Sequence, residues 1–414
     1  MSSDAPLPML GGLSAAEFLR DHWQRRPLLI RGAFPDFECP LTPDELAGLA
    51  CEEGIEARLV EEHGADGPWQ VRHGPFDEAV FGTLPERDWT LLVQAVDHYV
   101  PEVAELLEAF TFLPRWRLDD IMISYAPPGG SVGPHVDQYD VFLLQGMGSR
   151  RWQLGGRVPD NAPIIAGIDL RILERFAVEA DADWVLEPGD MLYLPPGWAH
   201  HGVSQSDDCL TLSVGFRAPS ADEAITSFAD YLGEQLPASR RYSDAGMALP
   251  DDPAELDDEA VARMRRFILE TLDDPARLAQ WFGRVMTQPK YVDQLVPNEA
   301  PTAPDTLVAA LQEGAELVRS PGSRFAWRAL DEQRATLFAD GDGAECALPL
   351  ARLIASQAVL DAELLTHEGA DALLAALASD APLDAEALGL PGAPELLAAL
   401  LDAGSLAWAD EFEE

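Results

Sequence analysis

Positive charge is scarce in this chain: 28 Lys and Arg stand against 72 Asp and Glu, a formal net charge of −44 over 414 residues. Direct nucleic-acid binding is therefore not expected, because a polyanion and a field of this sign repel one another. Cysteine is sparse as well. The four that occur, Cys39, Cys51, Cys209 and Cys346, are scattered with no C-x-x-C pair. That excludes a disulfide framework and a cysteine zinc site, and leaves them as small apolar residues. Long uncharged apolar runs are missing, and the opening Met1-Ser-Ser-Asp-Ala-Pro-Leu-Pro8 has no basic segment followed by an apolar one. No membrane partner is expected, and the chain reads as a soluble cytoplasmic protein.

Apolar residues make up 47% of the chain, which is ample for packed cores and rules out disorder throughout. At roughly 150 residues per domain, the length predicts two or three domains. The surplus of acid favours solubility and a basic partner, such as a cationic protein segment.

Residues 1–218 read as one unit, opening with a helix over Ala15 to Gln24. Strand-length runs rich in β-branched and aromatic residues follow: Ile121 to Tyr125, Val141 to Gln145, Arg151 to Leu154, Met191 to Leu194 and Leu210 to Phe216. Pro127-Pro-Gly-Gly130, Glu187-Pro-Gly-Asp190 and Pro195-Pro-Gly197 supply the turns between them. Short strands between such turns predict a sandwich or barrel. Helical spacing takes over after Arg217-Ala-Pro-Ser220. Val261, Met264, Ile268 and Leu272 recur at three- and four-residue steps on one face, and Asp274-Pro275 is a helix start. A helical module over 219–295 results. The Pro-bearing stretch Val296 to Pro304 leads into a third unit, 296–414. There Phe325 to Trp327 and Thr336 to Phe338 suggest a β-ribbon, followed by Leu- and Ala-rich helices to about Ala403. A ribbon with helices at this size is winged-helix-like, although the chain's acidity argues against DNA as its ligand. No internal repeat is evident.

The segment that carries chemistry is Gly133-Pro-His135-Val-Asp137-Gln-Tyr139-Asp140. Residues two apart on a strand share a face, so His135 and Asp137 can offer an imidazole and a carboxylate to one point. A histidine arriving later, His200 or His201 after Pro195-Pro-Gly-Trp-Ala, completes a two-His, one-carboxylate triad. Such a triad leaves three positions of an octahedral Fe(II) open. An H-x-D pair alone is common. Here it stands between a Gly-rich turn and an apolar strand, and the distal histidine follows a Pro-Gly-Asp turn, so both fall at a barrel rim.

These segments, with Arg150-Arg-Trp152, Asp21-His-Trp-Gln-Arg-Arg-Pro-Leu-Leu-Ile-Arg31 and Leu212-Ser-Val-Gly-Phe-Arg-Ala-Pro219, resemble the JmjC oxygenases of the cupin superfamily. More narrowly, they resemble the bacterial ribosomal oxygenases that hydroxylate an arginine of a large-subunit ribosomal protein. The resemblance implies an α+β architecture: a double-stranded β-helix (jelly-roll) JmjC domain over 1–218, a helical dimerisation module over 219–295 and a winged-helix-like domain over 296–414. It implies Fe(II), the cosubstrate 2-oxoglutarate and dioxygen, with His135, Asp137 and His200 as the metal ligands. The Pro-Pro-Gly-x-x-His pattern selects His200 over His201, whose side chain would face the other way in a strand.

The family places a Lys or Arg fifteen residues after the first histidine to hold the distal carboxylate of the cosubstrate, and 135 + 15 gives Arg150. Its fork suits bidentate recognition of a carboxylate. Ser124 matches the position of an assisting hydroxyl. Tyr139 and Asp140 are candidates for substrate contact, the ring along an arginine's methylenes and the carboxylate on its guanidinium. Trp152, Trp184 and Trp198 read as packing, with Trp198 able to wall the site. The partners implied are a basic ribosomal protein and a second copy of the chain. Two readings share the same ligands: a non-catalytic metal-binding cupin serving as a binding module for basic ribosomal proteins, and a JmjC lysine demethylase.

Overall fold

The computed structural model describes residues 5–62, 69–159, 161–356, 359–360 and 392–412. His63, His367 and the helices expected between 361 and 391 lie outside the described residues. The chain forms two compact units, 1–218 and 219–414.

The first unit opens with α1 (Ala15–Asp21), started by a reciprocal capping box between Ser14 and Glu17. It is shorter than its sequence predicts, because Gln24 adopts φ +56°, a left-handed conformation that cannot continue a helix. Eleven strands follow: β1 (Leu28–Ile30), β2 (Ala57–Glu61), β3 (Gln70–His73), β4 (Trp89–Val93), β5 (Leu118–Ala126), β6 (Val141–Met147), β7 (Arg150–Arg157), β8 (Asp183–Leu186), β9 (Met191–Leu194), β10 (Trp198–Ser204) and β11 (Cys209–Phe216). An eight-stranded sheet runs β1-β9-β6-β11-β5-β4-β2-β3, and a smaller one runs β10-β7-β8.

Strand alternation sorts the side chains of the large sheet. Ile121 and Ile123 of β5, Phe142 and Leu144 of β6, and Leu210, Leu212 and Val214 of β11 enter the main core with Phe18, Phe110 and Tyr193. Each such side chain contributes roughly 1.5–3 kcal/mol by leaving water. The other face of β6 and β9 offers Val141, Leu143, Leu192 and Leu194, which pack against Trp152 and Leu154 of β7 and Leu186 of β8. The two sheets are therefore layered, and the intervening partners on this second face include Asp120, Met122 and Ser124 of β5. Register places Thr211 opposite Ser124, and Ser213 opposite both Met122 and Leu143.

In the second unit, α4 (Ala221–Gln235) and α6 (Pro275–Thr287) pack through Phe228, Leu232 and Trp281. Between them lies α5 (Asp258–Leu272), which forms where the apolar spacing predicts but has no buried residue. A second core joins α7 (Pro304–Gln312), α8 (Leu348–Ser356) and α9 (Ala393–Asp402) to two three-stranded sheets. One is the meander β13 (Phe325–Ala329), β14 (Arg334–Ala339) and β15 (Asp342–Ala347). The other pairs β12 (Leu317–Arg319) with β16 (Val359–Leu360) and β17 (Leu406–Trp408).

The Glu187-Pro-Gly-Asp190 turn shows how a local sequence fixes this frame. Gly189 has φ +85°, and a Cβ there would meet the carbonyl oxygen of Phe34. Asp190 then accepts from Gly32 N at 2.9 Å and pairs with Arg31 at 2.5 Å, tying β1 beside β9. Gly189→Ala should cost the first unit about 1–3 kcal/mol, read as a shift in its urea-unfolding midpoint; an unchanged midpoint would contradict the strain.

Candidate active site

The residues singled out in the sequence converge on one edge of the space between the two sheets. His135 and His200 form an isolated antiparallel bridge, with His135 N donating to His200 O at 3.0 Å and His200 N to His135 O at 2.9 Å. Their rings lie 4.2 Å apart between centroids. Asp137 Oδ2 is 3.5 Å from His200 Nε2 and 4.0 Å from His135 Nε2. All three ligand-type atoms fall within 4.8 Å of one another, and no other such group of His, Cys, Asp or Glu occurs among the described residues.

Backbone carbonyls decide which nitrogens are available. His135 Nδ1 sits 2.9 Å from Gly133 O, and His200 Nδ1 2.9 Å from Trp198 O. A carbonyl oxygen only accepts, so each Nδ1 carries a proton, and in the neutral ring Nε2 then offers its lone pair to the shared point. Burial, reinforced by the neighbouring His135, pushes the His200 pKa down to about 4, so this imidazole is neutral near pH 7. Two bare imidazole nitrogens and one carboxylate fit a divalent first-row metal.

His201 is not part of this group. Its Nε2 lies 3.0 Å from Ser131 Oγ and its ring meets the edge of Phe176. Burial lowers its pKa too.

Strand β7 carries the second half of the site. Arg150, Trp152 and Leu154 share its inner face, opposite Ser204, Gly202 and His200 of β10. Gly202 is needed for this closeness, since a Cβ there would lie 2.6 Å from the Trp152 ring. The Trp152 ring stands 5.8 Å from the His200 ring and 5.8 Å from the Arg150 guanidinium. It packs in the second core as its sequence suggests, and there it stands beside both groups. Arg150 is 3% exposed, and its Nη2 reaches Ser124 Oγ only at 3.5 Å. Its Nε has no partner, and no carboxylate pairs with it among the described residues. A buried guanidinium left this way costs several kcal/mol. A guanidinium in this setting has donors to spare for an anion.

Tyr139 is 43% exposed, and its phenol is held well above the usual range by the Asp137 carboxylate, by burial and by Asp120. It stays protonated among carboxylates. Asp140 corrects the expectation drawn from sequence. It is fully buried on the opposite, core-facing side, where it accepts from Tyr193 Oη at 2.6 Å and Gln24 Nε2 at 3.0 Å and pairs with Arg117 at 3.1 Å. It offers no carboxylate to a substrate, because its position on the pleat points it away from the Val141 face. Asp120 is the acid that the sequence reading missed: it shares a face with Ser124 four residues on and accepts from Gln94 Nε2 at 2.7 Å. The strand period counted back from Ser124 was its only signal.

The two layered sheets with a His-Asp-His group at their edge are those of a JmjC domain of the cupin superfamily. A JmjC-domain family model matches residues 105–224, and a ROXA-like winged-helix model matches 270–381. The chain is 42% identical over 314 residues to the ribosomal protein uL16 3-hydroxylase of Escherichia coli K12, covering 75% of this chain and 82% of that protein. It is 40% identical over 260 residues to a probable ribosomal oxygenase of Haemophilus influenzae, covering 62% of this chain and 63% of the relative. Among solved structures, the E. coli ribosomal oxygenase YcfD in complex with cobalt and 2-oxoglutarate superposes with a TM-score of 0.80 at 37% identity, over 95% of this chain and 98% of that one. The chain belongs to the JmjC-domain ribosomal oxygenases. The α+β fold, with its jelly-roll domain and C-terminal winged helix, is as the resemblance implied.

His200→Ala should weaken Mn(II) binding by roughly tenfold or more, whereas His201→Ala should leave it nearly unchanged. Equilibrium dialysis distinguishes them, and equal losses would mean that the third ligand is misassigned.

Proposed function

We propose that this protein is an Fe(II)- and 2-oxoglutarate-dependent oxygenase that hydroxylates an arginine side chain of a large-subunit ribosomal protein of the uL16 kind. The observation that carries the reading is Arg150: a buried cation with no carboxylate paired to it among the described residues, one tryptophan away from two imidazoles and a carboxylate. When bound, the metal supplies the redox chemistry in which 2-oxoglutarate and dioxygen become succinate and carbon dioxide while one oxygen atom enters a substrate C–H bond.

The chain's own residues do the rest. His135, Asp137 and His200 hold the metal, and the Nδ1–H bonds to Gly133 and Trp198 keep the rings aimed. Arg150, with Ser124 beside it, grips the distal carboxylate of the cosubstrate through charge-assisted hydrogen bonds in a place closed to water. Trp152 and Leu154 keep the floor of that place apolar. Tyr139 faces the incoming cationic side chain, its ring along the methylenes. Net acidity steers a basic ribosomal protein to the enzyme. A purely structural metal site would leave Arg150 unexplained, which weighs against a non-catalytic binding module.

For the remaining layout we assign 1–218 to catalysis, 219–295 to dimerisation and 296–414 to the winged-helix domain, with α6 packing on β13, β14 and β15 and so joining the second segment to the third. The chain's own packing leaves the apolar face of α5 uncovered, with Val261 59% and Ile268 47% exposed, and a second copy is its occupant in this reading. No described helix is long and apolar enough to cross a membrane, and a ribosomal substrate places the enzyme in the cytoplasm.

Incubation of ribosomal protein uL16 with the purified enzyme, Fe(II), ascorbate and 2-oxoglutarate should add one oxygen, about 16 Da, to an arginine. Arg150→Ala should raise the KM for 2-oxoglutarate far more than the KM for the protein substrate. Absence of the mass gain with metal bound would sink the substrate, and unaltered cosubstrate kinetics would sink the role of Arg150. Light scattering should give the mass of a dimer, which Ile268→Glu converts to that of a monomer; a monomeric unmodified protein would contradict the assignment of α5.

A further inference from the structure

The N-terminal motif around His22-Trp-Gln-Arg-Arg-Pro27 and the buried Asp140 have no part in the chemistry above, yet they meet. Asp140 Oδ1 accepts from Tyr193 Oη on β9, and Oδ2 accepts from Gln24 Nε2 and from Arg117 Nη2, three donors from three separate stretches of chain. Gln24 is itself held in its left-handed conformation. Its N donates to Tyr193 Oη at 2.7 Å and its carbonyl accepts from Arg157 Nη2 at 3.0 Å. Trp23 stacks on Tyr193 with rings 18° from parallel, meets Phe216 edge-on, and lies beneath the Arg117 guanidinium at 5.4 Å. Arg117 Nε in turn donates to Arg217 O at 2.7 Å.

We propose that Asp140 is a positioning residue: a buried carboxylate through which the N-terminal segment fixes the 137–140 loop, and with it the Asp137 and Tyr139 side chains. The proposal rests on the reading of His135, Asp137 and His200 as a metal site. The loop is pinned at both ends. Asp137 O accepts from Gly197 N at 2.8 Å, and Asp140 O accepts from Phe216 N at 3.1 Å. Only Gln138 and Tyr139 lie between the pins, so a displacement of Asp140 has just two residues over which to dissipate before it reaches Asp137. A carboxylate suits this place because it accepts from all three donors and has none of its own; an amide would turn an N–H toward one of them.

The test uses full-length protein with Mn(II), whose free form is read by electron paramagnetic resonance, and Co(II), whose ligand-field absorption reports ligand geometry. Asp140→Asn removes the charge. Tyr193→Phe is the gentler variant, since it keeps the ring packing and deletes one donor. Leu46→Ala, fully buried in α2 (Pro43–Leu49), shows what lost stability alone does. Tyr193→Phe and Asp140→Asn should weaken Mn(II) binding roughly tenfold or more, as lost outer support of metal ligands does, and should shift the Co(II) spectrum, while Leu46→Ala does neither. Should Tyr193→Phe bind both ions as the unmodified protein does, or lose affinity only as Leu46→Ala does, the positioning role falls and the metal site stands. Should the unmodified protein bind neither ion, both fall.

Discussion

Two backbone carbonyls, those of Gly133 and Trp198, govern what the site can be. By accepting from Nδ1 of His135 and His200, they select the tautomer that turns Nε2 toward the shared point and fix the planes of the rings. Without them each imidazole could take either tautomer and turn about its bonds, and Asp137 would face a shifting pair. Both carbonyls belong to residues two places before the histidine they orient. The short Gly-Pro and Trp-Ala approaches are thus as much part of the site as the ligands.

The charge pattern separates into two scales. Over the whole chain, the surplus of acid sets a long-range field that favours a basic partner. Inside, Arg150 runs against that trend: it is buried with no carboxylate paired to it among the described residues, a cost that an anionic cosubstrate would remove. Asp140 shows the opposite solution, a buried carboxylate fully met by Arg117, Tyr193 and Gln24. One buried charge is kept unpaired for use and the other is satisfied for rigidity.

How much of this was legible in the sequence follows from the range of the signal. The i, i+2 spacing of His135 and Asp137 and the turn before His200 are local, so the trio could be read before any fold was known. The strands over 121–125 and 210–216 were legible from β-branched residues and flanking turns, as was the helix start at Asp274. Asp140 was misplaced because adjacency in sequence suggested adjacency in space, whereas the pleat turns it to the core. Asp120 escaped notice because an acidic pair on an apolar strand resembles a strand end; its face follows by strand period once Ser124 is placed by its register with Thr211 on β11. The α5 stripe predicted a buried helix face, and within one chain that face stays bare.

The paired bridge between His135 and His200 joins residues 200 − 135 = 65 apart in sequence. Closing a loop of that length costs conformational entropy. An ion held across the bridge binds only the folded arrangement, so its occupancy adds to the stability of the whole sandwich by mass action. Iron supply would then regulate not just turnover but also the lifetime of the folded chain.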